Sequence, residues 1–576
     1  MEGKKVNNFQ PIEEIVLMRH VEYYVSAVTD CSSRFNYSNS VYYSPRNLIG
    51  RYERYPAYGD FPETYSLRTY GNWWKESEGY QSDYRPQDAD PLGAQDFLVV
   101  RFEGPAIPRQ IFIYEVYNPG AVVRIWGKIV YKIDLPWKLL WEGPPQTHSH
   151  NSRLFQPQIT PINEMINSIR LEFNQSHLEY HYSIDAILLG GFQPWSDLMN
   201  TIFLEGFTAI SIPKGKRAIQ NIPNINEKQD IISYLPYELL VHIFQFLDLK
   251  SLSKCAQVSR KWKLISEEQS LWQSINLKPY WHLVNYSTLN YFKQKCKNLK
   301  KLDLSWCGND LDSLGFACSS LLEVHAKTLT HLSLGNCEFV NEDLLMKVSC
   351  CSQLTDLRLK DIRYPLRNWP LNGLTKLISL DLMATNISDT DMINILIANP
   401  HLRHINLDLC ESFENLDAII LTVSQYNKEL VTWRSWKAVS LTEDGIRYFA
   451  KCSKLKELDL GWCLINNHPG NCLLLIAKGC PNLKRLILSE WRCLNDQLLM
   501  PIISSCIQLR QLDLMGIKTI SGDICGKALR LLPKLRLLDI SYCDMIRQEE
   551  VSIWREKYPS VKIQRSCEFA GNDREN

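Results

Sequence analysis

The chain has 576 residues, with 64 Lys+Arg against 63 Asp+Glu and a formal net charge of +1. That balance, with no long like-charge run, gives no reason to expect nucleic acid or an anionic membrane as partner. Apolar residues at 45% and charged residues at 22% are ordinary for a soluble globular protein, and the length suits about three domains or one long repeat array.

Residues 1–30 read as an N-terminal extension, with a short helix over 12–29 (IEEIVLMRHVEYYVSAVT). A mitochondrial presequence should be Arg-rich and poor in acids. Glu13, Glu14 and Glu22 against Arg19 fit that poorly. Residues 31–195 are dense in aromatics and prolines and alternate as strands do. Examples are DFLVVRFEG (Asp96–Gly104), RQIFIYEVY (Arg109–Tyr117), AVVRIWG (Ala121–Gly127), SIRLEFN (Ser168–Asn174) and IDAILLGG (Ile184–Gly191). Turn signals such as Asn118-Pro119-Gly120 separate some of them. Short strands with such punctuation predict an all-β sandwich. The closing pair, SIRLEFN then IDAILLGG, resembles the end of a discoidin or galactose-binding-like jelly roll. Loops at the end of a sandwich bind ligands, and Arg68, Trp73 and Trp74 in LRTYGNWWKE are the candidate rim. The paired Trp either grips a partner or plugs the end. Residues 196–230, with PKGKR and NIPNINEK, read as a linker.

Residues 231–277 turn helical. Leu239, Leu240, Ile243, Phe244 and Leu247 form an apolar stripe, Pro236 suits a helix start, and Leu252, Cys255, Val258 and Trp262 form a second stripe. The order Leu235-Pro236, Glu238-Leu239-Leu240, Ile243-Phe244, Leu247, then Val258-Ser259-Arg260, Trp262 and Leu271-Trp272 resembles the F-box. The resemblance implies a surface for the adaptor Skp1 at Leu235, Pro236, Leu239, Ile243, Leu247 and Leu252. A cluster of about 40 residues is too small to bury all its apolar surface alone. Trp262 and Trp272 are expected in the internal core and as a lock onto the first repeat.

Residues 278–565 repeat the phrase Leu-x-x-Leu-x-Leu, starting at Leu299, Leu329, Leu354, Leu377, Leu402, Leu455, Leu483, Leu509 and Leu535, with a weaker copy at Leu430. First leucines are 23 to 30 residues apart. Strand plus helix at this period is a leucine-rich repeat, and about ten such units must stack into a curved α/β solenoid to bury their leucines. Ten of the 18 cysteines keep repeat register, either eight residues after the first Leu (Cys307, Cys337, Cys410, Cys463, Cys543) or three before it (Cys296, Cys351, Cys452, Cys480, Cys506). Small buried packing residues explain that pattern. With no CxxC pair and no zinc-like spacing, no metal is expected. Residues 566–576 form a tail.

Side chains between the repeat leucines point to the concave face. Arg358 and Arg434 lie there, with Asp459, Asp513 and Asp539. Trp306, Trp462 and Tyr542 share the place before the cysteine. Aromatics and Arg dominate binding hot spots, so Trp306, Arg358, Arg434, Trp462 and Tyr542 are the candidate substrate contacts. The other reading of the aromatics is that they brace neighbouring repeats.

The chain is thus multidomain: an all-β sandwich, a helical F-box, and a repeat solenoid. The phrases LRTYGNWW, YNPGAVVRI, LEYHYSIDAILLGG, LKPYW and LKELDLGWC extend the resemblance to the F-box and leucine-rich-repeat proteins that serve as substrate receptors of SCF (Skp1–cullin–F-box) ubiquitin ligases. It implies Skp1, and through it cullin and RING subunits, as partners. It also implies protein substrates, among them mitochondrial outer-membrane mitophagy receptors, and a role restraining mitophagy. No P-loop, nucleophile elbow or HExxH is present, so neither catalytic residues nor cofactors are expected. A repeat scaffold without ligase coupling is the alternative. MEGKKVNNFQ lacks a signal-peptide core and no run of about 18 apolar residues marks a membrane span. The expected setting is intracellular and cytoplasm-facing, the nucleus remaining open and mitochondrial association resting on the resemblance.

Overall fold

The computed structural model describes residues 18–32, 42–67, 90–130, 136–148, 151–178, 180–194, 235–308, 311–362, 369–464 and 468–566. Its first part is antiparallel: β1 (Met18–Cys31), β2 (Tyr65–Ser66), β3 (Asp96–Tyr117), β4 (Val122–Ile129), β5 (Trp137–Glu142), β6 (Arg153–Phe155), β7 (Ile166–Phe173) and β8 (Ser183–Pro194). The path is β2-β8-β1-β3-β7-β4-β5, with β6 on β3. Met18 to Thr29 are therefore strand, not the helix expected over 12–29. VEYYVSAVT is rich in β-branched and aromatic residues, which suit a pleated, half-buried surface. Neighbours on both sides complete it: Met18–Tyr24 pairs with β8 and Val25–Cys31 with β3. The domain accordingly includes β1, and its start lies before residue 31.

Asp96–Gly104 and Arg109–Tyr117, read as two strands, run on as one 22-residue strand. Pro105 and Pro108 look like turn punctuation. The register shifts at Arg101/Ala106 and Pro108/Gln110 instead absorb them as irregularities, the places a sheet tolerates proline. The first half of β3 pairs with β7 and the second half with β8. One strand thus serves both halves of the sheet, which enclose Leu98, Val100, Ile111, Ile125, Leu171, Ile187 and Leu189.

Three short helices come next: α1 (Tyr237–Phe244), α2 (Leu249–Cys255) and α3 (Arg260–Ser266). Asp248 and Ser259 cap α2 and α3 by accepting from the N–H groups of Ser251 and Trp262, as N-cap side chains do.

The rest is a parallel sheet of twelve strands in sequence order, from β9 (Ser274–Asn276) to β20 (Lys562–Gln564). Ten phrases predict ten of these strands. β9 and β20 lack the leading Leu-x-x-Leu, so only their pairing with the neighbouring rung reveals them. The first rung therefore lies inside the segment assigned to the F-box. Register aligns Leu302, Leu332, Leu357 and Leu380 in one file, continued by Ile405, Trp433, Leu458, Leu486, Leu512 and Leu538. All ten are buried, each worth roughly 1.5–3 kcal/mol of burial. The repeat helices start on polar caps at matching places, Asn341, Ser388, Asn415, Thr442 and Asn495.

The residue before each cysteine that lies eight places after its first Leu has positive φ: 72° at Trp306, 58° at Asn336, 60° at Leu409, 62° at Trp462 and 57° at Tyr542. Its N–H then reaches the next rung, as from Trp306 to the Gly335 carbonyl at 2.9 Å and Trp462 to the Ser489 carbonyl at 2.8 Å. L-residues adopt this conformation at a cost, met here because it continues the ladder past the strand. The cysteines beyond it are buried. Cys337, Cys410, Cys463 and Cys543 also point their thiols at carbonyls of the preceding rung, 3.0 to 3.2 Å away. No helix of the described residues is long and apolar enough to cross a membrane.

Candidate functional site

Helix α1 has two apolar faces offset by one residue. Leu240 and Phe244, one turn apart, are buried, and the Phe244 ring meets Trp262 edge-on at 5.3 Å. Leu239 and Ile243, at the same spacing, point outward and are 49% and 45% exposed. Phe246, just past the helix, is 76% exposed, with Val258 at 63% and Leu264 at 66% elsewhere on the module. Pro236 is exposed; Leu235 and Leu247 are half-buried. Leu252 corrects the sequence reading: it is fully buried, packed in the core that runs on into the repeats. A stripe at i, i+1, i+4, i+5 wraps two faces, and periodicity alone does not tell which residue of each pair faces out. Phe246 and Leu264 were missed as candidates; the i+7 spacing of Phe246 from Leu239 is the signal that marks it.

The module is joined tightly to the arc. Trp272 is buried, donates from Nε1 to the Ser266 carbonyl at 2.8 Å, and lies 6.3 Å from the Phe292 ring on α4 (Tyr286–Lys295). Trp262 packs half-buried on the same core.

The concave side of the arc carries the β domain at both ends. At the first rungs, the Arg170 guanidinium sits 3.8 Å from the ring centres of Phe97 and Trp281 and 4.9 Å from that of Trp306. Trp281 donates to Glu172 at 2.9 Å, and Lys278 to the Ala94 carbonyl at 3.0 Å. Burial pulls the Arg170 pKa down to about 10 and that of neighbouring His282 down to about 4. At the last rungs, the Tyr542 hydroxyl lies 2.9 Å from the Asp60 carbonyl and 2.8 Å from the Tyr43 hydroxyl. Ser566 donates to the Asp60 carboxylate at 3.1 Å, Tyr180 bonds Asp539, and Gln564 bonds Tyr117. Tyr117 and Tyr180 also pack on Leu537.

Trp306 and Tyr542, candidate substrate contacts, are therefore taken up by the β domain of the same chain. Their shared register comes from the backbone turn, and their rings meet whatever lies against the rim. Arg358 is tied to Asp356 on its own rung at 2.9 Å. Arg434 lies between Asp408 at 3.6 Å and Asp459 at 4.0 Å. Trp462 is edge-on to Trp436 at 6.2 Å, with the Lys437 ammonium 4.9 Å from each ring. Asp513 and Asp539, neighbours in one row, are both buried, and burial holds both carboxyls above their ordinary range. Arg68, Trp73 and Trp74 lie outside the described residues, as does the linker over 196–230.

Two family models and a full-length relative agree with this architecture. An F-box-like family model matches residues 232–278, and a Leucine Rich repeat model matches 295–308. The class is thus an F-box protein with leucine-rich repeats. Bovine F-box/LRR-repeat protein 4 is 31% identical over 98% of this chain and 95% of its own length, and the chain belongs to that family. Human F-box/WD repeat-containing protein 8 is 40% identical over 85 residues, 14% of this chain and 14% of its own. Among solved structures, that of the yeast Rad7 and Elc1 complex overlays with a TM-score of 0.30 at 16% identity, covering 57% of this chain and 96% of that one.

Proposed function

We propose that the chain is the substrate-recognition subunit of an SCF ubiquitin ligase, a non-catalytic adaptor. The observation that carries this is the outward face of α1, where Leu239 and Ile243 stand half-exposed beside Phe246 on a module whose inner face is fused to the arc. Leaving such side chains in water forgoes burial energy unless a partner covers them. In this reading Skp1 is that partner, contacting Leu235, Pro236, Leu239, Ile243, Phe246 and Leu247 and linking the chain to cullin and RING subunits. The repeats and the β domain, which we read as a discoidin-like jelly roll, hold the substrate. Ubiquitin transfer then gains from the raised effective concentration of a substrate lysine near the charged carrier. By family resemblance we extend the proposal to mitophagy receptors as substrates and to mitochondrial association.

The test is co-purification with Skp1. Wild type retains it, whereas Leu239→Asp/Ile243→Asp does not, with an unchanged melting curve. Failure of folded wild type to retain Skp1 sinks the proposal. Skp1 retained without any change in the lifetime of a cellular protein favours the scaffold. Longer-lived mitophagy receptors in cells lacking the chain support the mitochondrial extension, and unchanged lifetimes remove it.

A further inference from the structure

The concave face of the last rungs carries polar groups that the closed chain serves only in part. Asp513 on β18 (Gln511–Asp513) and Asp539 on β19 (Leu537–Asp539) stand opposite one another in register. Both are buried. No described basic residue forms an ion pair with either, and Asp60 and Asp459 add further negative charge. Asp513 accepts from the Ser489 hydroxyl at 2.8 Å and the Met515 N–H at 3.1 Å, both through Oδ1. Its Oδ2 accepts from no described residue. Asp539 accepts from the Ser541 N–H at 2.9 Å and from the Tyr180 hydroxyl of the β domain. Gln511 lies two places before Asp513 and so on the same face. It is 1% exposed, and neither polar atom of its amide has a hydrogen-bond partner. Arg485, the cation opposite Gln511, stands 4.0 Å from Glu457 instead.

A buried amide without partners and like charges on neighbouring strands both work against the fold. The repeat does not require them, since His331 and Ser333 hold the same two places on an earlier rung. Such conflicts collect at functional sites. Two carboxylates and an amide oxygen form an acceptor set. A guanidinium, with five N–H donors and no acceptor, matches it, and the amide Nε2 is left to donate to a main-chain carbonyl. We propose that Gln511, Asp513 and Asp539 bind an arginine side chain on an extended segment of a protein substrate, which displaces Tyr180, the occupant built into the chain. The proposal rests on the receptor reading above and names the chemistry of the segment received.

The two attachments of the β domain are unlike, and this end is the one that opens. At the first rungs Phe97, Val99, Val123 and Trp126 belong to one continuous core with the repeats. At the last rungs the shared apolar contact is Tyr117 and Tyr180 on Leu537, with Tyr58 beside them. Hydrogen bonds of Tyr542, Gln564 and Ser566 complete it. Such bonds exchange for water or ligand at small net cost, whereas parting a shared core exposes apolar surface.

The experiment titrates the full chain into a fluorescein-labelled Arg-Gly-Ser repeat peptide and follows anisotropy. A twin peptide carries citrulline, the uncharged isostere, in place of arginine. The chain should bind the arginine peptide and not its twin. Tyr180→Phe keeps the ring but frees Asp539, and should bind roughly tenfold tighter than wild type. Asp513→Asn should bind at least about tenfold more weakly while melting no lower. Glu411→Gln, the same charge change at an exposed site, should leave binding intact. Amide exchange at Tyr180–Ser183 should quicken when the arginine peptide is added. Equal binding of the two peptides, no binding by wild type and Tyr180→Phe alike, equal affinity of Asp513→Asn and Glu411→Gln, or slowed exchange overturns the proposal. Skp1 retention is read separately: its absence in wild type with peptide binding intact sinks the receptor reading alone.

Discussion

The outer face of α1 and the concave face of the arc are opposite kinds of surface. The first is apolar and half-exposed. The second is lined with charged and aromatic residues, and the β domain closes on both of its ends. A surface search for polar and aromatic hot spots picks the second and passes over the first. The difference teaches that residue type marks a binding surface only once it is known what already covers it. Trp306 and Tyr542 have hot-spot chemistry, yet their partner is intramolecular.

The largest expected effect lies on the α1 face. Two hot-spot losses of about 2 kcal/mol each make Leu239→Asp/Ile243→Asp bind Skp1 roughly a thousandfold more weakly, measured by calorimetry or biolayer interferometry, with little change in stability. Leu252→Ala is the contrast. Since Leu252 is fully buried, its loss should cost about 2–5 kcal/mol of stability, read by denaturant melts, and Skp1 binding should suffer only through unfolding. A Leu252→Ala protein that is as stable as wild type but blind to Skp1 would return this residue to the surface.

The repeat array was legible because its signal recurs: alternation of buried Leu with polar neighbours, copied ten times, decides strand, face and register together. The β domain was legible only in part. Its strands alternate as expected, but residues 12–29 read as a helix where Met18–Cys31 is strand, and the prolines of β3 masked one long strand as two. Both were settled by pairing with distant segments, information a local window does not contain. For the site, the α1 stripe was visible but not its orientation. The contacts joining Tyr542 to Asp60 and Trp306 to Phe97 link residues hundreds of positions apart and left no periodic trace.

A medium effect tests that closure. Tyr542→Phe removes the hydroxyl that meets both Asp60 and Tyr43, worth about 1 kcal/mol per hydrogen bond. The β domain should then release from the last rungs more often, seen as faster amide exchange at Tyr180–Ser183 and faster limited proteolysis, with exchange in the leucine file unchanged. Equal exchange in the two proteins would mean that the far end of the arc is held by other contacts.

The smallest effect is one of pH. Asp513 and Asp539 are buried side by side, and burial together with their mutual repulsion raises the pair's proton affinity. Tyr180 donates to Asp539 and Ser489 to Asp513, while Asp60 and Asp459 add negative charge nearby. A carboxyl pair whose folded pKa lies above the unfolded one stabilises fully below the ordinary carboxylate range, and that contribution is lost as pH rises through the raised pKa. Asp513→Asn keeps an oxygen to accept from the Met515 N–H and the Ser489 hydroxyl but cannot ionise. It should therefore raise the melting temperature at neutral pH, and the gain should shrink steadily as pH falls toward 4 (about the unperturbed carboxylate value). A gain of constant size across that range would show that the row is as well solvated as the open concave face its residue types suggested, and that the β domain does not bury it.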